Sequence, residues 1–444
     1  MPAHSTALRE RDVTVRCHNR SVTTPQGYHV LSVDHSRASE VLHVDAFAFA
    51  FTVPEKDAGF IHDILPWDRT RAIEVVDPLR GRVGTLAAVH ASFEFKTCVP
   101  GGREVPTAGL SWVGVHPGHR RRGLLRAMIH DHFSRSLARG EVISTLFAAE
   151  TQIYQRFGYG LAATEARVQL GRGADIRPLE GSDDLAVEID SASIERHGDA
   201  IRSIQSRMTR PGTVTALAPQ TLADVLMDLE IDREGGEELR IAVVRDGSDP
   251  VAWALFQRKG DWGDSGPDGK VRVRAWGALD AAATVRLWGV LVDFDLMATT
   301  YAGKFALDDP LLLRLKDIRS AKVSIADNLW VRILDVAEAL QARGYAADCD
   351  VTIHLEDAFL PLNAGVWRVH VVHGEARVTR DDGADPASAD LRIDIQELGA
   401  AYLGGTTITE LLRAGLVDER TPGAAGELSR AMASDIKPVA NFGF

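Results

Sequence analysis

At 444 residues the chain is about three times a ~150-residue domain, so three domains, or two large ones, are expected, with a core large enough to need no disulfide or metal. Acids outnumber bases 62 to 50, a formal net charge of -12, which disfavours a nucleic-acid backbone as partner and mildly favours cationic substrates such as amines. Cys17, Cys98 and Cys349 are far apart and lack CxxC spacing, which excludes a disulfide scaffold or an all-cysteine metal centre and fits a reducing cytoplasm. No apolar run approaches the ~20 residues that cross a bilayer. The first twenty residues carry Glu10, Arg11, Asp12 and Arg16 and show no signal-peptide core.

Residues 1–27 read as a polar lead-in with some strand potential. A strand YHVLSV (Tyr28 to Val33) and a helix from Ser36 to Val44 follow. AFAFAFTVP then sets Phe47, Phe49 and Phe51 at period two, which reads either as a strand or as an aromatic-rich helix end lining a pocket. AIEVV, VGTLAAVH and ASFEFKT are three extended segments, and Pro100–Gly101 marks a turn. LSWVGV (Leu110 to Val115) is a strand closed by His116, Pro117 and Gly118. A helix begins near Arg122, where Leu124, Leu125, Met128, Ile129, Phe133 and Leu137 form one stripe at helical spacing, and Gly140 stops it. With the strand VISTLF (Val142 to Phe147) these make a βαβ unit.

Gly171–Arg172–Gly173 reads as a boundary. Beyond it come helices Ser193 to Met208 and Leu222 to Leu229, strands IAVV, PVAWALF and KVRVRAWGA, and a helix from Asp280 to Leu291. Strand into helix repeats the first region, with Gly277, Ala278, Leu279 and Asp280 replacing the basic glycine turn: a degenerate internal repeat. A third region starts near Trp330. Capping-box spacing at Asp335/Glu338 and Thr407/Glu410 opens helices that Gly344 and Gly415 close. VTIHL, WRVHVV and ADLRIDI alternate as strands, a last helix fits Glu427 to Met432, and the tail is DIKPVANFGF. This order implies an α+β unit.

The segment VHPGHRRRGLLRAMI (Val115 to Ile129) puts three arginines and a glycine on the first turn of a helix that leaves a strand. Four amides at a helix start lack an intrahelical acceptor, and the dipole is positive there. A pyrophosphate can take those donors, and Gly123 lets the backbone come close. Arg120, Arg121 and Arg122 can add charge-assisted bonds, though their side chains cannot all point one way. Spacing alone leaves this reading level with a solvated arginine face. The segment matches neither GxGxxG nor GxxxxGK[ST], which counts against a nicotinamide dehydrogenase or a P-loop kinase. Leu124 and Leu125 interrupt the basic run, against a nucleic-acid patch. His119 either touches phosphate or faces solvent. The fifteen histidines, His130 included, show no HExxH or Cys/His cluster, so no metal site is expected. No GxSxG elbow occurs and no cysteine has an activating neighbour, against a covalent acyl-enzyme.

The loop resembles the coenzyme A loop [QR]xxGx[GA] of the GCN5-related N-acetyltransferases. Arg120, Gly123 and Leu125 match its spacing, with leucine in place of the last small residue. The wider pattern, SWVGVHPGHRRRGLLRAM, then IYQRFGYG (Ile153 to Gly160), then a tail ending in phenylalanine, is similar to the Eis group of bacterial acetyltransferases. This resemblance covers essentially the whole chain. It implies an α+β fold of two tandem acetyltransferase-like domains, the second degenerate, followed by a sterol-carrier-like α+β domain, over residues 1–171, 172–328 and 329–444. It also implies an acetyl-coenzyme A-dependent N-acetyltransferase, without a metal, acting by direct transfer on primary amines of small molecules, with aminoglycosides, polyamines and lysine side chains as candidates. Coenzyme A and the amine are the implied partners, with no nucleic acid and no membrane span. A homo-hexamer in the cytoplasm is implied as well. The alternative is a lipid or hydrophobe carrier, or a non-catalytic acyl-coenzyme A binding protein.

The same resemblance assigns roles. The backbone of Val113, Gly114 and Val115 would hydrogen-bond the pantetheine arm, and Arg120, Arg121, Arg122, Gly123, Leu124 and Leu125 would form the phosphate cradle. Tyr154, the first tyrosine of IYQRFGYG, fills the general-acid position; a phenol of pKa ~10 stays protonated at neutral pH and can protonate a thiolate. Tyr159 is expected to be structural. The terminal carboxylate of Phe444 would enter the site, where a pKa of ~3.5 makes it a weak base and a better orienting group. The acceptor pocket departs from the family: Phe442–Gly443–Phe444 lacks the acid of FEF, and AFAFAFT lacks the acid of SFTDF. Each missing carboxylate would remove ~1.5–3 kcal/mol of charge-assisted binding to a polyamine, with Asp45 and Glu55 as candidates to compensate.

Overall fold

The structure is a computed structural model and describes residues 24–444. Cys17 and the lead-in before Thr24 lie outside the described residues, as does the side chain of Glu55. The first unit comprises β1 (Tyr28–Ser32), α1 (Ala38–Phe49), a short α2 (Ile61–Ile64), β2 (Arg71–Val75), β3 (Leu86–Val99) and β4 (Arg103–Val115). It continues through α3 (Leu124–Ala138), β5 (Ile143–Leu146), α4 (Thr151–Gln155) and β6 (Gly160–Gly171). The expected segments VGTLAAVH and ASFEFKT merge into β3, because no glycine or proline interrupts Leu86–Val99 and most of its side chains are buried. The phenylalanine alternation resolves as a helix end. α1 runs through Phe49 and closes on Ala50 in the left-handed region, φ 58°. Period two carried no inward strand face there: Phe47 is 52% exposed and lies against His43 and His116, with ring centroids 4.6 and 4.9 Å away.

The second unit repeats the plan. It contains β7 (Ala186–Ser191), α5 (Ile194–Gln205), α6 (Pro219–Leu226), β8 (Arg240–Asp246) and β9 (Asp249–Lys259). A small hairpin, β10 (Trp262–Gly263) and β11 (Gly266–Pro267), precedes β12 (Gly269–Ala278), α7 (Ala281–Leu291), β13 (Met297–Phe305) and α8 (Pro310–Arg314). The two units share one 12-stranded sheet, with β14 (Ser324–Ile333) inserted between β5 and β6 and β13 paired to β6. β14 runs across the expected boundary at residues 328 and 329. Its sequence SIADNLWVRI hides a central strand behind polar residues. Asn328 is buried, donating to Glu165 Oε2 and the Ala440 carbonyl at 3.0 Å each, and buried Arg332 pairs with Asp357 at 2.5 Å.

The third unit is α9 (Val336–Ala342), β15 (Cys349–Glu356), β16 (Gly365–Val372), β17 (Glu375–Asp381), β18 (Leu391–Asp394), α10 (Ile395–Ala401), α11 (Ile408–Arg413), β19 (Val417–Glu419) and α12 (Ala424–Met432). Its sheet order is β17-β16-β15-β18-β19. Both cap signals hold: Asp335 accepts from the Glu338 amide at 3.0 Å, and Thr407 with Glu410 forms the reciprocal box. Val351, Ile353, Leu391 and Ile393 of the sheet pack against Leu398, Tyr402 and Leu428 in a core continuous with Val331 and Ile333 of β14. After α12 the tail crosses back, burying Val439, Asn441 and Phe442. Phe442 joins Phe93, Phe95 and Trp253 in the core between the first two units. Among the described residues, no helix is long and apolar enough to cross a membrane.

Candidate active site

β4 and β5 are parallel neighbours only from Thr107–Gly109 to Ile143–Thr145, and then they part. On its other side β4 bulges: the pairs Val89–Gly114 and Ala91–Ser111 leave His90 opposite both Trp112 and Val113. Trp112 sits there at φ 55°, a region that bulky residues rarely adopt. The extra residue shifts the alternation, so Val113 and Val115 pack under α3, whereas Gly114 turns toward α1. The result is a stretch of β4 backbone with no strand partner on the β5 side, forming one wall of a cleft. Sequence reasoning did not single out Trp112; a strand of ordinary alternation carries no mark of a bulge.

After β4, His116 accepts from the Gly118 amide at 3.2 Å and Pro117–His119 form one tight turn. Arg121 and Gly123 both take left-handed φ, 60° and 81°. The first amide of α3 to find a backbone acceptor is that of Ala127, on the Gly123 carbonyl at 3.1 Å. The amides of Arg121 through Arg126 have no acceptor among the described residues, and no side chain caps the helix. The three arginines divide. Arg122 donates to the Tyr28 hydroxyl at 2.7 Å, which meets His119 Nδ1 at 3.0 Å, so both loop residues are tied to β1. Burial, then the Arg122 charge, lowers the His119 pKa. Arg120 and Arg121 are exposed and have no ion pair or side-chain hydrogen bond among the described residues. Leu124 is buried against Tyr28, Ile73 and Ala88, and Leu125 is half-buried, so these two side chains anchor the helix to the sheet.

Tyr154 lies on the α3 face of the parting strands, in the apolar cluster of Leu110, Val113 and Leu146, with its ring edge-on to Tyr159 at 5.9 Å. Its hydroxyl has no hydrogen-bond partner among the described residues. Burial, with the Glu150 charge second, pushes its pKa up to about 12. Tyr159 is fully buried, with its hydroxyl 2.7 Å from Ser144 Oγ, which in turn lies 2.8 Å from His132 Nε2. Phe444 lies on the opposite face. Its ring is edge-on to Phe95 at 4.6 Å and to Phe147 at 5.3 Å. Phe147 directly follows β5, and Gly109, the last β4 residue paired to it, faces the Phe95 ring so closely that a Cβ would collide. Phe95 and Phe147 were not singled out from sequence, where they read as ordinary strand positions.

Two further titratable groups flank the cleft. Asp45 of α1 is 7% exposed, its Oδ1 has no partner among the described residues, and it lies 3.7 Å from the place a Cβ on Gly114 would take. Burial pushes its pKa up to about 7. On the other flank Lys304, at a bulge in β13 with φ 64°, places Nζ 3.9 Å from where a Cβ on Gly443 would lie. Burial lowers its pKa, and Nζ donates to the Arg274 carbonyl at 3.3 Å.

The second unit shows why the loop motif is absent there. β12 and β13 also part, after Val273 and Ala302. But Asp280 caps α7 by accepting from the Ala283 amide at 2.8 Å, so a carboxylate already sits at the helix start and takes one of the donors whose counterparts α3 leaves free. The tail fills the neighbouring groove: Asn441 donates to the Trp276 carbonyl at 3.0 Å, and a cavity of about 180 Å³ remains beside Ile436 and Val439.

Two acetyltransferase (GNAT) domain models match residues 30–162 and 223–333, and a sterol carrier protein domain model matches residues 336–441. An uncharacterized N-acetyltransferase of Streptomyces avermitilis is 38% identical over 373 residues, 82% of this chain and 87% of that protein. The N-acetyltransferase Eis of Mycobacterium bovis is 31% identical over 360 residues, 79% of this chain and 84% of its own. The crystal structure of Eis1 from Mycobacterium abscessus aligns with a TM-score of 0.76 at 28% identity, covering 94% of this chain and 100% of that one. Fold and likeness define an N-acetyltransferase built from two GNAT domains and a sterol-carrier-like domain. The chain belongs to the Eis-like family of N-acetyltransferases.

Proposed function

We propose that the chain transfers the acetyl group of acetyl-coenzyme A directly to a primary amine of a small molecule, in the cleft where β4 and β5 part. One observation carries the reading: an uncapped helix start, with amides and two arginines that have no partner among the described residues, stands at the mouth of that cleft. Such donors fit a diphosphate. Acetyl-coenzyme A supplies an acyl group already activated as a thioester. Arg120, Arg121 and Arg122, with the amides of Gly123, Leu124 and Leu125, hold the diphosphate; Arg122 does so from its tether on Tyr28. The backbone of Val113, Gly114 and Val115 holds the pantetheine arm, and the bulge at Trp112 aims N–H groups at the thioester oxygen.

Tyr154 keeps its proton throughout the neutral range and donates it toward the leaving sulfur. A pKa of about 12 makes it a weaker acid than a free phenol, so it acts first as a hydrogen-bond donor to developing charge. The carboxylates of Phe444 and Asp45 draw in and orient the ammonium, which passes its proton to water and attacks as the free amine, the C–S bond breaking as the C–N bond forms. Cys98 and Cys349 have thiols that burial pushes up to about 12, which leaves them inert and supports direct transfer. Lys304 opposes a polycation beside Gly443, so monoamines and lysine side chains rank ahead of aminoglycosides and polyamines. The continuous apolar core of the third unit supports a scaffold role that delivers the tail, in preference to lipid carriage. A homo-hexamer and a cytoplasmic setting rest on family resemblance. The test is thiol release from acetyl-coenzyme A over a panel of monoamines, lysine peptides, polyamines and aminoglycosides. Amine-dependent release led by the first two supports the proposal, and none with any amine overturns it.

A further inference from the structure

Near the point where β12 and β13 part, each strand breaks register with its outer neighbour. Val273 and Ala275 of β12 pair with the adjacent residues Phe256 and Leu255 of β9, which leaves Arg274 as the extra residue. Ala302 and Phe305 of β13 pair with Val168 and Ala166 of β6, which sets Gly303 and Lys304 against Arg167 alone. Lys304 holds a left-handed φ of 64° there, a strained conformation by which a bulge re-aims a side chain. The two cations are placed differently. Arg274 donates from Nη1 to the Met227 carbonyl and from Nη2 to the Asp224 carbonyl at 3.4 Å, both at the carboxyl end of α6, where the helix dipole is negative. Lys304 has three donors and makes one hydrogen bond, at 3.3 Å to the Arg274 carbonyl. It is in no ion pair among the described residues, the terminal carboxylate included. Glu165, the acid whose charge favours the Lys304 ammonium, is engaged by Arg167 at 2.6 Å and by Asn328 at 3.0 Å.

The space beside Lys304 is open. A Cβ on Gly443 would meet its Nζ at 3.9 Å and, beyond the neighbouring residues of the tail, nothing else within 4 Å. Gly443 separates Phe442 in the core from Phe444, whose ring rests on Phe95 and Phe147 at the acetyl-transfer cleft. Lys304 also lines the cavity of about 180 Å³ beside the tail, so free volume lies next to its ammonium. We infer that the acceptor is an amine carrying a carboxylate of its own, an ω-amino acid, with its anionic end on Lys304 and its amine beside the Phe444 carboxylate. The inference rests on the acetyl transfer proposed above and narrows its substrate. A neutral monoamine leaves the Lys304 ammonium desolvated and unpaired, and a polyamine sets like charge against it. A carboxylate pairs with it and takes the donors that Lys304 leaves unused. Gly443 belongs to the same device, because an acid at that position would claim the ammonium for the protein.

Steady-state thiol release by the full chain, with 4-aminobutyrate and 6-aminohexanoate each compared with its own amide at saturating acetyl-coenzyme A, tests this. Acid and amide differ in the remote charge while their amines are of similar basicity, so the ratio of kcat/KM reports the carboxylate. At least one acid is expected to exceed its amide by ~10-fold or more. Lys304→Met should remove that preference. Lys304 packs inside the fold, so Gly443→Glu serves as an independent variant: Gly443 holds no left-handed φ, a side chain there meets open space, and its carboxylate should take the ammonium and erase the preference too. Release with the amides but no preference for either acid, or a preference that survives both variants, would overturn the inference and leave acetyl transfer standing. Release with no amine of any kind would overturn acetyl transfer itself, and the inference with it.

Discussion

Appending one glycine after Phe444 isolates the terminal carboxylate from the ring that carries it. The ring is held edge-on by Phe95 and Phe147 at 4.6 and 5.3 Å. Contacts of that geometry contribute ~0.5–1.5 kcal/mol each beyond their buried area, so the ring should keep its seat. The new carboxylate then lies up to ~3.6 Å farther along the chain, outside hydrogen-bonding reach of an amine it had oriented. Losing one charge-assisted hydrogen bond costs ~1.5–3 kcal/mol, roughly 10- to 150-fold in kcat/KM for the amine. KM for acetyl-coenzyme A should stay within about twofold, because the phosphate donors at α3 lie on a separate loop. Steady-state thiol release, with amine and coenzyme varied in turn, measures both. Unchanged amine kinetics would refute a role for the carboxylate, whereas an equal loss for both substrates would mean that the cleft itself had been disturbed.

Tyr154→Phe should lower kcat by ~10²–10⁴-fold with little change in KM for acetyl-coenzyme A, and near-normal turnover would reject the phenol as proton donor. Arg121→Ala combined with Gly123→Ala should raise KM for the coenzyme far more than that for the amine, since a Cβ at φ 81° adds ~1–2 kcal/mol of strain where a phosphate would approach; equal effects on both substrates would contradict the cradle. Asp45 has a folded pKa of about 7 against ~3.9 unfolded, so the unfolded chain gives up its proton first and stability falls as pH rises from about 4 through 7. The full effect is on the order of 4 kcal/mol, and Asp45→Asn should flatten it. Urea unfolding at pH 5 and pH 8 reads the slope; an identical slope in the variant would show that Asp45 is not the group responsible.

What could be read from sequence followed from how local each feature is. The stripe from Leu124 to Leu137, stopped by Gly140, gave a helix that the structure bounds at Leu124 and Ala138. Thr407 and Glu410 form the reciprocal cap their spacing predicts. The free amides at Arg121 to Arg126 follow from a basic glycine turn with no capping side chain, and Asp280 marks the degenerate counterpart for the opposite reason. Other features depend on distant partners. The bulge at Trp112 is set by the register against β3, and SWVGV alone reads as a regular strand. β14 enters the sheet because Glu165, Ala440 and Asp357 satisfy its polar side chains, and all three are far away in sequence. The phenylalanine alternation left a strand and a helix end both open, and the helix end is what forms: with Phe47, Phe49 and Phe51 all exposed, no buried face enforced a strand's period. The isolation of Asp45, whose Oδ1 has no partner among the described residues, is visible only once every neighbour has a place.

The claim that anionic phosphates are gripped at the start of α3 is tested most directly by calorimetric titration of the unmodified chain with acetyl-coenzyme A and, separately, with acetyl-pantetheine, which has the same thioester but no phosphates. Two or more charge-assisted hydrogen bonds at ~1.5–3 kcal/mol each predict that the full coenzyme binds at least ~100-fold more tightly. Equal affinity for the two thioesters would contradict the account.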